Sequence, residues 1–433
     1  MAQQNINLGT GNNTGDGEGL RDGGVKIQSN FTELYGFKSE KIVRVKTSSD
    51  FGTIDSTKVY ILDGIIDMTG VSIEVPSGGI NIIGYTFDVS KLICSDSSYT
   101  MFTSPVGGSG NVLLSNIAVE VTGASSKVFD LFDATTFNAC EFNIVNFNNC
   151  TSLGTLDNYR QGLENGTGRF GGTPELTLKG AWLGGYFVDS SIVRGLTDGA
   201  YCLYKAGVGF VMQSRFRSNA NIDLNSTVEF FNFSPTNFPN SNTLQLENCL
   251  IARNGVVDPT DTTISPNISH TDIASVWRNN SGIENTFIGG EFTIVSEVAT
   301  TITTAGVFVD LAGTYLSQDL QHFEMPSNGE AKHLGSGERN YNVFIDMILE
   351  CNSGNEIDLR AVVWDDSASA FVNYKTTRRV VNNLQGGRDV AFFDVTTRVV
   401  LDKNDYLKFQ VANVSATNNI TAELGSDFII EER

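Results

Sequence analysis

Apolar and polar residues alternate over short stretches along most of this chain, and Asn, Gly, Asp and Ser interrupt the alternation. Val43, Val45, Val59 and Ile61 fall between turn-forming residues, as in short strands. Ile80–Phe87 is an apolar run opened by Pro76-Ser-Gly-Gly79. Further on, Cys140-Phe142-Ile144, Leu176-Leu178 and Leu244-Leu246 each hold polar residues between apolar ones, and Phe210–Met212 is apolar throughout. No long stretch in this region carries apolar residues at helical spacing, so a helical repeat is excluded.

A motif recurs within these strands, an apolar residue followed two positions later by Asn, Gly or Ser. It begins at Ile82, Leu114, Phe147, Leu178, Met212, Leu246 and Ile283, giving steps of 32, 33, 31, 34, 34 and 37 residues. Its longest echo joins Leu178–Phe187 to Ile283–Phe292, both of which end in Gly-Gly, a polar residue and Phe. Such a period marks a repeat architecture. Strands at this spacing predict a right-handed parallel β-helix over residues 46–325, one coil per period, with Asn or Gly at a shared corner. Asn116, Asn149, Asn248 and Asn285 are then expected to form a partial ladder of corner amides. The polar stretches Asp157–Gly172, Asn232–Asn242 and Asp258–His270 are expected as loops leaving the stack. Loops of that kind carry binding residues, which makes Tyr159, Phe233 and Phe238 the binding candidates.

After Met325-Pro-Ser-Asn-Gly329 the pattern becomes strictly two-residue, beginning with Val343, Ile345, Met347, Leu349 and Cys351. Seven further short runs follow, among them Val390–Val395 and Val399–Leu401 and ending at Phe428–Ile430, with turns such as Lys403-Asn404-Asp405 between them. Half-buried strands in that number predict an antiparallel β-sandwich of jelly-roll type over 326–433. The chain is therefore read as all-β, except near its start. There Leu20, Ile27, Phe31 and Leu34 share one face of a short helix within residues 1–45. Gly23 and Gly24 inside it each cost about 1 kcal/mol relative to Ala. A helix so short, with a single apolar stripe, is marginal alone and is expected to pack on a partner.

Composition narrows the function. With 29 Lys+Arg against 49 Asp+Glu, a net charge of -20 and no basic block, nucleic acid is not an expected partner. No apolar run is long enough for membrane insertion, and MAQQNINLGT lacks the basic start and apolar run of a signal peptide. The protein is expected to be made and kept in a cytoplasm, or to leave it by a route other than secretion. The six cysteines form no CxxC and the three histidines give no zinc-ligand spacing, so no metal and no cofactor is predicted and the thiols are expected buried and reduced. Glycoside hydrolysis would need two neighbouring carboxylates, for which Glu247 and Glu284 in consecutive predicted coils are the candidates. Ser115, Lys179 and Gln213 hold the same slot elsewhere, as a solvent-facing position would. Gly107-Gly-Ser109-Gly110 lacks the spacing of a serine-hydrolase elbow.

Gly9, Thr10, Asn13, Gly15, Asp16, Leu20, Arg21, Asp22, Lys26, Ile27 and the run Asn30–Tyr35 together resemble an N-terminal motif common in virion proteins of tailed bacteriophages. That motif usually has helix formers where this chain has Gly23-Gly24. The stretch from Val381 to Arg433 resembles the small C-terminal sandwich domain of phage fibres and spikes. The resemblance implies a homotrimeric tail fibre or tailspike located in the virion and made in the bacterial host cytoplasm. Its N-terminal segment would hold other virion proteins, and its tip would meet a host glycan or protein receptor by multivalent binding. It also implies two alternatives, a tailspike depolymerase of surface polysaccharide and a head-fibre or baseplate component without a receptor.

Overall fold

The computed structural model describes residues 19–257, 264–335, 338–384 and 388–433. They form two compact units, one of residues 19–237, 246–268 and 279–283, the other of 238–245, 269–278 and 284–433. The described residues are all-β apart from the helix Leu20–Lys41 and two short 3-10 turns.

In the first unit the strands stack in parallel, about eight coils high, so this unit is a β-solenoid. Three strands make one coil, for example Val112–Ser115, Ala118–Val121 and Lys127–Phe132, each pairing with its counterparts in the coils before and after. Inward positions are mostly apolar along the files: Ile82 pairs with Leu114 and Leu114 with Phe142. The next members of that file are Glu164 and Val188. In the neighbouring file Phe147 is followed by Arg169 and then Val193.

Glu164 and Arg169 are thus inward residues of one coil, each about 1% exposed, with Nη2 to Oε1 at 2.8 Å. Tyr186 Oη and Tyr204 Oη donate to the same carboxylate oxygen at 2.6 and 3.0 Å, and Thr167 Oγ1 donates to Oε2 at 3.2 Å. Arg169 Nη1 donates to the carbonyls of Pro174 and Leu203, and the guanidinium lies 4.3 Å from the Tyr204 ring centroid. Burial alone would lower the guanidinium pKa, but the Glu164 carboxylate overrides it and holds Arg169 above its ordinary value. Gly162 lies opposite Tyr186, and a Cβ there would sit 2.3 Å from the Tyr186 ring. Only glycine lets the tyrosine cross the interior to reach Glu164.

The coils are not of one length. Ile80 pairs with Val112, Val112 with Cys140, Cys140 with Gly162, Gly162 with Tyr186 and Tyr186 with Phe216, steps of 32, 28, 22, 24 and 30 residues. The expected period near 33 therefore moves from one corner to another. Asn116 (φ 55°) turns between the strands Val112–Ser115 and Ala118–Val121, whereas Asn149 (φ 50°) follows the strand Asn146–Asn148 at the next corner. Asn248 (φ 57°) is also left-handed, while Asn285 falls in the second unit. Amide bonds between coils run through other asparagines. Asn158 Nδ2 donates to the Asp133 carbonyl at 3.0 Å and its Oδ1 accepts from Ala181 N at 3.2 Å, so one side chain ties a corner to the coil on each side. Asn225 Nδ2 donates to the Leu196 carbonyl in the same manner.

In the second unit the described strands of two further sheets pair antiparallel. Arg339–Glu350, Asp427–Glu432 and Gly289–Ser296 run side by side in an eight-stranded sheet. Tyr406–Asn413 and Glu356–Asp365 centre a six-stranded one, with Ala370–Val380 outside Glu356–Asp365. Both sheets supply one core, in which Phe409 meets Phe428 at 4.7 Å and Phe428 stacks on Phe292 at 4.6 Å. The two runs expected at Val390–Val395 and Val399–Leu401 are a single strand, Arg388–Leu401. Antiparallel pairing starts at Gly289, well before residue 326, because Gly289–Ser296 and Thr314–Gln321 belong to this sheet. The echo between Leu178–Phe187 and Ile283–Phe292 thus joins a parallel stack to an antiparallel sheet and marks no shared structure.

The helix runs unbroken through Gly23-Gly24 from Leu20 to Lys41. Ile27 and Phe31 are exposed along it, as is Val25, while the Leu20 and Leu34 side chains lie outside the described residues.

Replacing Arg169 by Met is expected to lower stability by about 3–5 kcal/mol, because Glu164 then stays buried without its counter-charge. Adding Glu164→Leu is expected to recover most of that loss. Urea unfolding midpoints of the two variants, compared with the parent, check both expectations.

Candidate functional site

Outward residues of the solenoid form files as regular as the inward ones. On one flank Asn148 pairs with Phe170 and Phe170 with Arg194. Continued register places Glu120 before Asn148 and Asp223 after Arg194. These five side chains, with Asn149, Gly171 and Gly195, line an open groove of about 720 Å³. Phe170 is half-buried and Arg194 exposed, its guanidinium 5.3 Å from the Phe170 centroid. The corner beneath is tight: a Cβ on Gly171 (φ 71°) would lie 2.3 Å from Asn149 Oδ1. An aromatic face, a guanidinium, amides and two carboxylates at fixed spacing suit a polar, extended ligand.

They do not suit hydrolysis. Coils stack about 4.8 Å apart, so four steps put Glu120 and Asp223 about 19 Å apart, beyond the roughly 5–10 Å that paired carboxylates need. A second cavity, of about 270 Å³, holds Glu175, Cys202, Lys205 and Glu229. There Lys205 Nζ meets Glu175 Oε1 at 3.1 Å. Burial, reinforced by Glu175, pushes the Cys202 thiol up to about 12, which leaves it a poor nucleophile. All six cysteines are buried and free. Among the described residues no cluster of His, Cys, Asp and Glu is arranged to hold a metal ion. None of the helices described is long and apolar enough to cross a membrane.

The binding candidates taken from sequence are core residues. Tyr159 and Phe233 are fully buried and Phe238 nearly so. Tyr159 Oη meets Ser109 Oγ inside the solenoid, and Phe233 stacks on Phe210 at 5.2 Å. Tyr159 lies in no projecting loop, because Asp157–Gly172 contains the strands Gln161–Asn165 and Gly168–Phe170. Asn232–Asn242 does form a turn, with a 3-10 segment at Pro235–Asn237, but it folds its aromatics inward. Of Asp258–His270, residues 258–263 lie outside the described residues. Glu247 belongs to the first unit and Glu284 to the second, where it faces His270 Nε2 at 2.9 Å. Phe170 and Arg194 were not legible as a site, since only the local step of 24 residues makes them neighbours.

The other histidines are buried. His333 Nδ1 donates to the Asp402 carbonyl at 3.0 Å, leaving Nε2 to accept from Tyr341 Oη at 2.8 Å. His322 Nε2 donates to the Asp272 carbonyl at 3.3 Å. Burial holds both imidazoles below their ordinary value, His322 at about 4.

No family model matches the sequence, and no curated protein matches it. Solved structures similar to part of it include Eiger TNF from S. frugiperda, 9% identical over 34% of this chain and 92% of that one, with a TM-score of 0.25. Murine APRIL at pH 8.5 is 6% identical over 34% of this chain and 99% of that one, with a TM-score of 0.25. Similarity at this level extends neither a fold nor a function to this chain.

Acid is expected to destabilise the second unit through its histidines. The folded pKa of His322 is depressed, so between pH 6.5 and about 4 the unfolded chain binds a proton that the folded chain does not. Stability is fully present above that window and falls through it by on the order of 3 kcal/mol. Urea midpoints at pH 7.5 and pH 4.5 should differ less in His322→Gln than in the parent.

Proposed function

We propose that this protein is a tailed-bacteriophage virion appendage, a homotrimeric fibre or spike that attaches the particle to its host by multivalent binding. The reading is carried by the string from Gly9 to Tyr35, which resembles a phage virion-attachment motif and stands ahead of a stacked-coil unit. The helix Leu20–Lys41 supports it, because exposed Val25, Ile27 and Phe31 offer an apolar surface to other virion proteins. In this reading the solenoid is the shaft, and the antiparallel unit is a jelly-roll-like sandwich at the tip. Receptor contacts fall on a host glycan or protein, with the flank groove at Phe170 and Arg194 available for them. Binding is favoured over depolymerisation by the wide spacing of the groove carboxylates.

Three chains presenting the same surface raise avidity without any new contact, so weak single sites suffice for firm adsorption. Purified protein is therefore expected to run at three times its chain mass in light scattering. It should also compete with the phage for host cells, while a gold-labelled antibody to it should decorate an appendage of the virion. A monomer that neither competes nor is found on the particle would overturn the reading.

A further inference from the structure

We propose that the outer face of the six-stranded sheet binds a saccharide carrying a carboxylate. The proposal rests on the attachment reading for its setting and names the ligand class of the second unit.

Three adjacent strands bring Trp364, Phe371 and Tyr406 side by side, since Trp364 pairs with Phe371 on one side and Tyr406 on the other. Ring centroids are 5.0 Å apart for Trp364 and Phe371 and 6.1 Å for Trp364 and Tyr406, whose planes differ by only 18°. Phe371 is 41% exposed, and Trp364 and Tyr406 are half-buried. The core side of these strands is filled by Val363, Leu407 and Phe409, so packing does not require aromatics on the other face. Tryptophan and tyrosine left at a wet surface offer a flat apolar face, which fits the C–H face of a pyranose ring.

The platform continues into an ordered polar network. Lys408 Nζ sits 4.5 Å from the Phe371 centroid and 2.8 Å from Asp310 Oδ2. Asp310 Oδ1 accepts from Gln410 Nε2 at 2.8 Å, and Gln410 Oε1 accepts from Arg360 Nε and Nη2 at 3.0 and 2.6 Å. The Arg360 guanidinium also lies 3.8 Å from the Phe308 centroid. Lys408 thus has its counter-charge, but Arg360 is held only by an amide oxygen and a ring, with no carboxylate partner among the described residues. Burial lowers its pKa, the mark of a cation partly stripped of water. A guanidinium in that state, locked on two sides, is ready for a planar carboxylate. Four residues along a strand separate Arg360 from Trp364, about 13 Å, so one ligand reaching both must be at least a disaccharide.

The test titrates the full chain with trigalacturonic acid and 3′-sialyllactose, and with neutral maltotriose and lactose, by calorimetry and tryptophan fluorescence. Trp182 and Trp277 are buried, so a fluorescence change on binding reports Trp364. An acidic probe is expected to bind saturably and its neutral counterpart roughly tenfold more weakly, the loss expected for one charge-assisted pair. Arg360→Met should remove that preference, and Trp364→Ala should abolish binding. Phe371→Ala, at an exposed ring, should weaken binding of acidic and neutral probes alike and guards against misfolding of the tryptophan variant. No saturable binding by any probe, or binding that ignores Arg360→Met and Phe371→Ala, overturns the proposal. Competition with phage adsorption without binding of the acidic probes sinks this proposal and leaves the attachment reading standing. Binding without competition does the reverse.

Discussion

Every inward side chain of the solenoid must fit the ones about 4.8 Å above and below it, because the parallel ladders fix the register of each coil. The file Ile82, Leu114, Phe142, Glu164, Val188 shows what that constraint demands. A lone carboxylate between Phe142 and Val188 would carry an uncompensated charge into a dry interior. The same coil answers with Arg169 in the adjoining file, and Tyr186, Tyr204 and Thr167 complete the acceptor set. Such a pair adds little net stability, since desolvation offsets most of the attraction. It does assign the coil to its place. Moved to another coil, either charge would lose this set of partners.

That coil is also where the sequence misleads. Parallel stacking, β-rich coils and left-handed corner residues were legible from short alternating strands punctuated by Asn and Gly. The coil that carries Glu164 and Arg169 was not, because charged inward residues erase the hydrophobic alternation and make Asp157–Gly172 look like a loop. Tyr159 then looks exposed although it fills the interior. The regular period failed for a related reason. A three-sided coil has several corners that all tolerate Asn or Gly, so a motif defined by one such residue matches different corners in successive coils. The coils themselves step by 22 to 32 residues, shorter than the motif spacing, because the motif advances to a later corner as it recurs.

Strict two-residue alternation made the second unit easier to read, because one face of each strand is apolar and the other is not. Its beginning was harder to place. Gly289–Ser296 follows directly from a stretch that echoes a solenoid coil, and its antiparallel partners Thr314–Gln321 and Asp427–Glu432 reveal the change of sheet. The second of these pairings joins residues more than a hundred positions apart, which a reading of local pattern does not reach.

Candidate contact residues turned out to lie on strands and not on projecting loops. A strand fixes its outward side chains at ladder spacing in every copy of the fold, so little conformational entropy remains to be lost when a ligand arrives. Phe170 and Arg194 illustrate this on the solenoid flank, and Trp364, Tyr406 and Phe371 on the six-stranded sheet. The loop aromatics had the opposite incentive. Phe233 and Phe238 gain more from burial, about 1.5–3 kcal/mol each, than a flexible polar turn could return by displaying them. For an extended, polar ligand that makes many weak contacts, rigid rows of strand side chains are the better receiver.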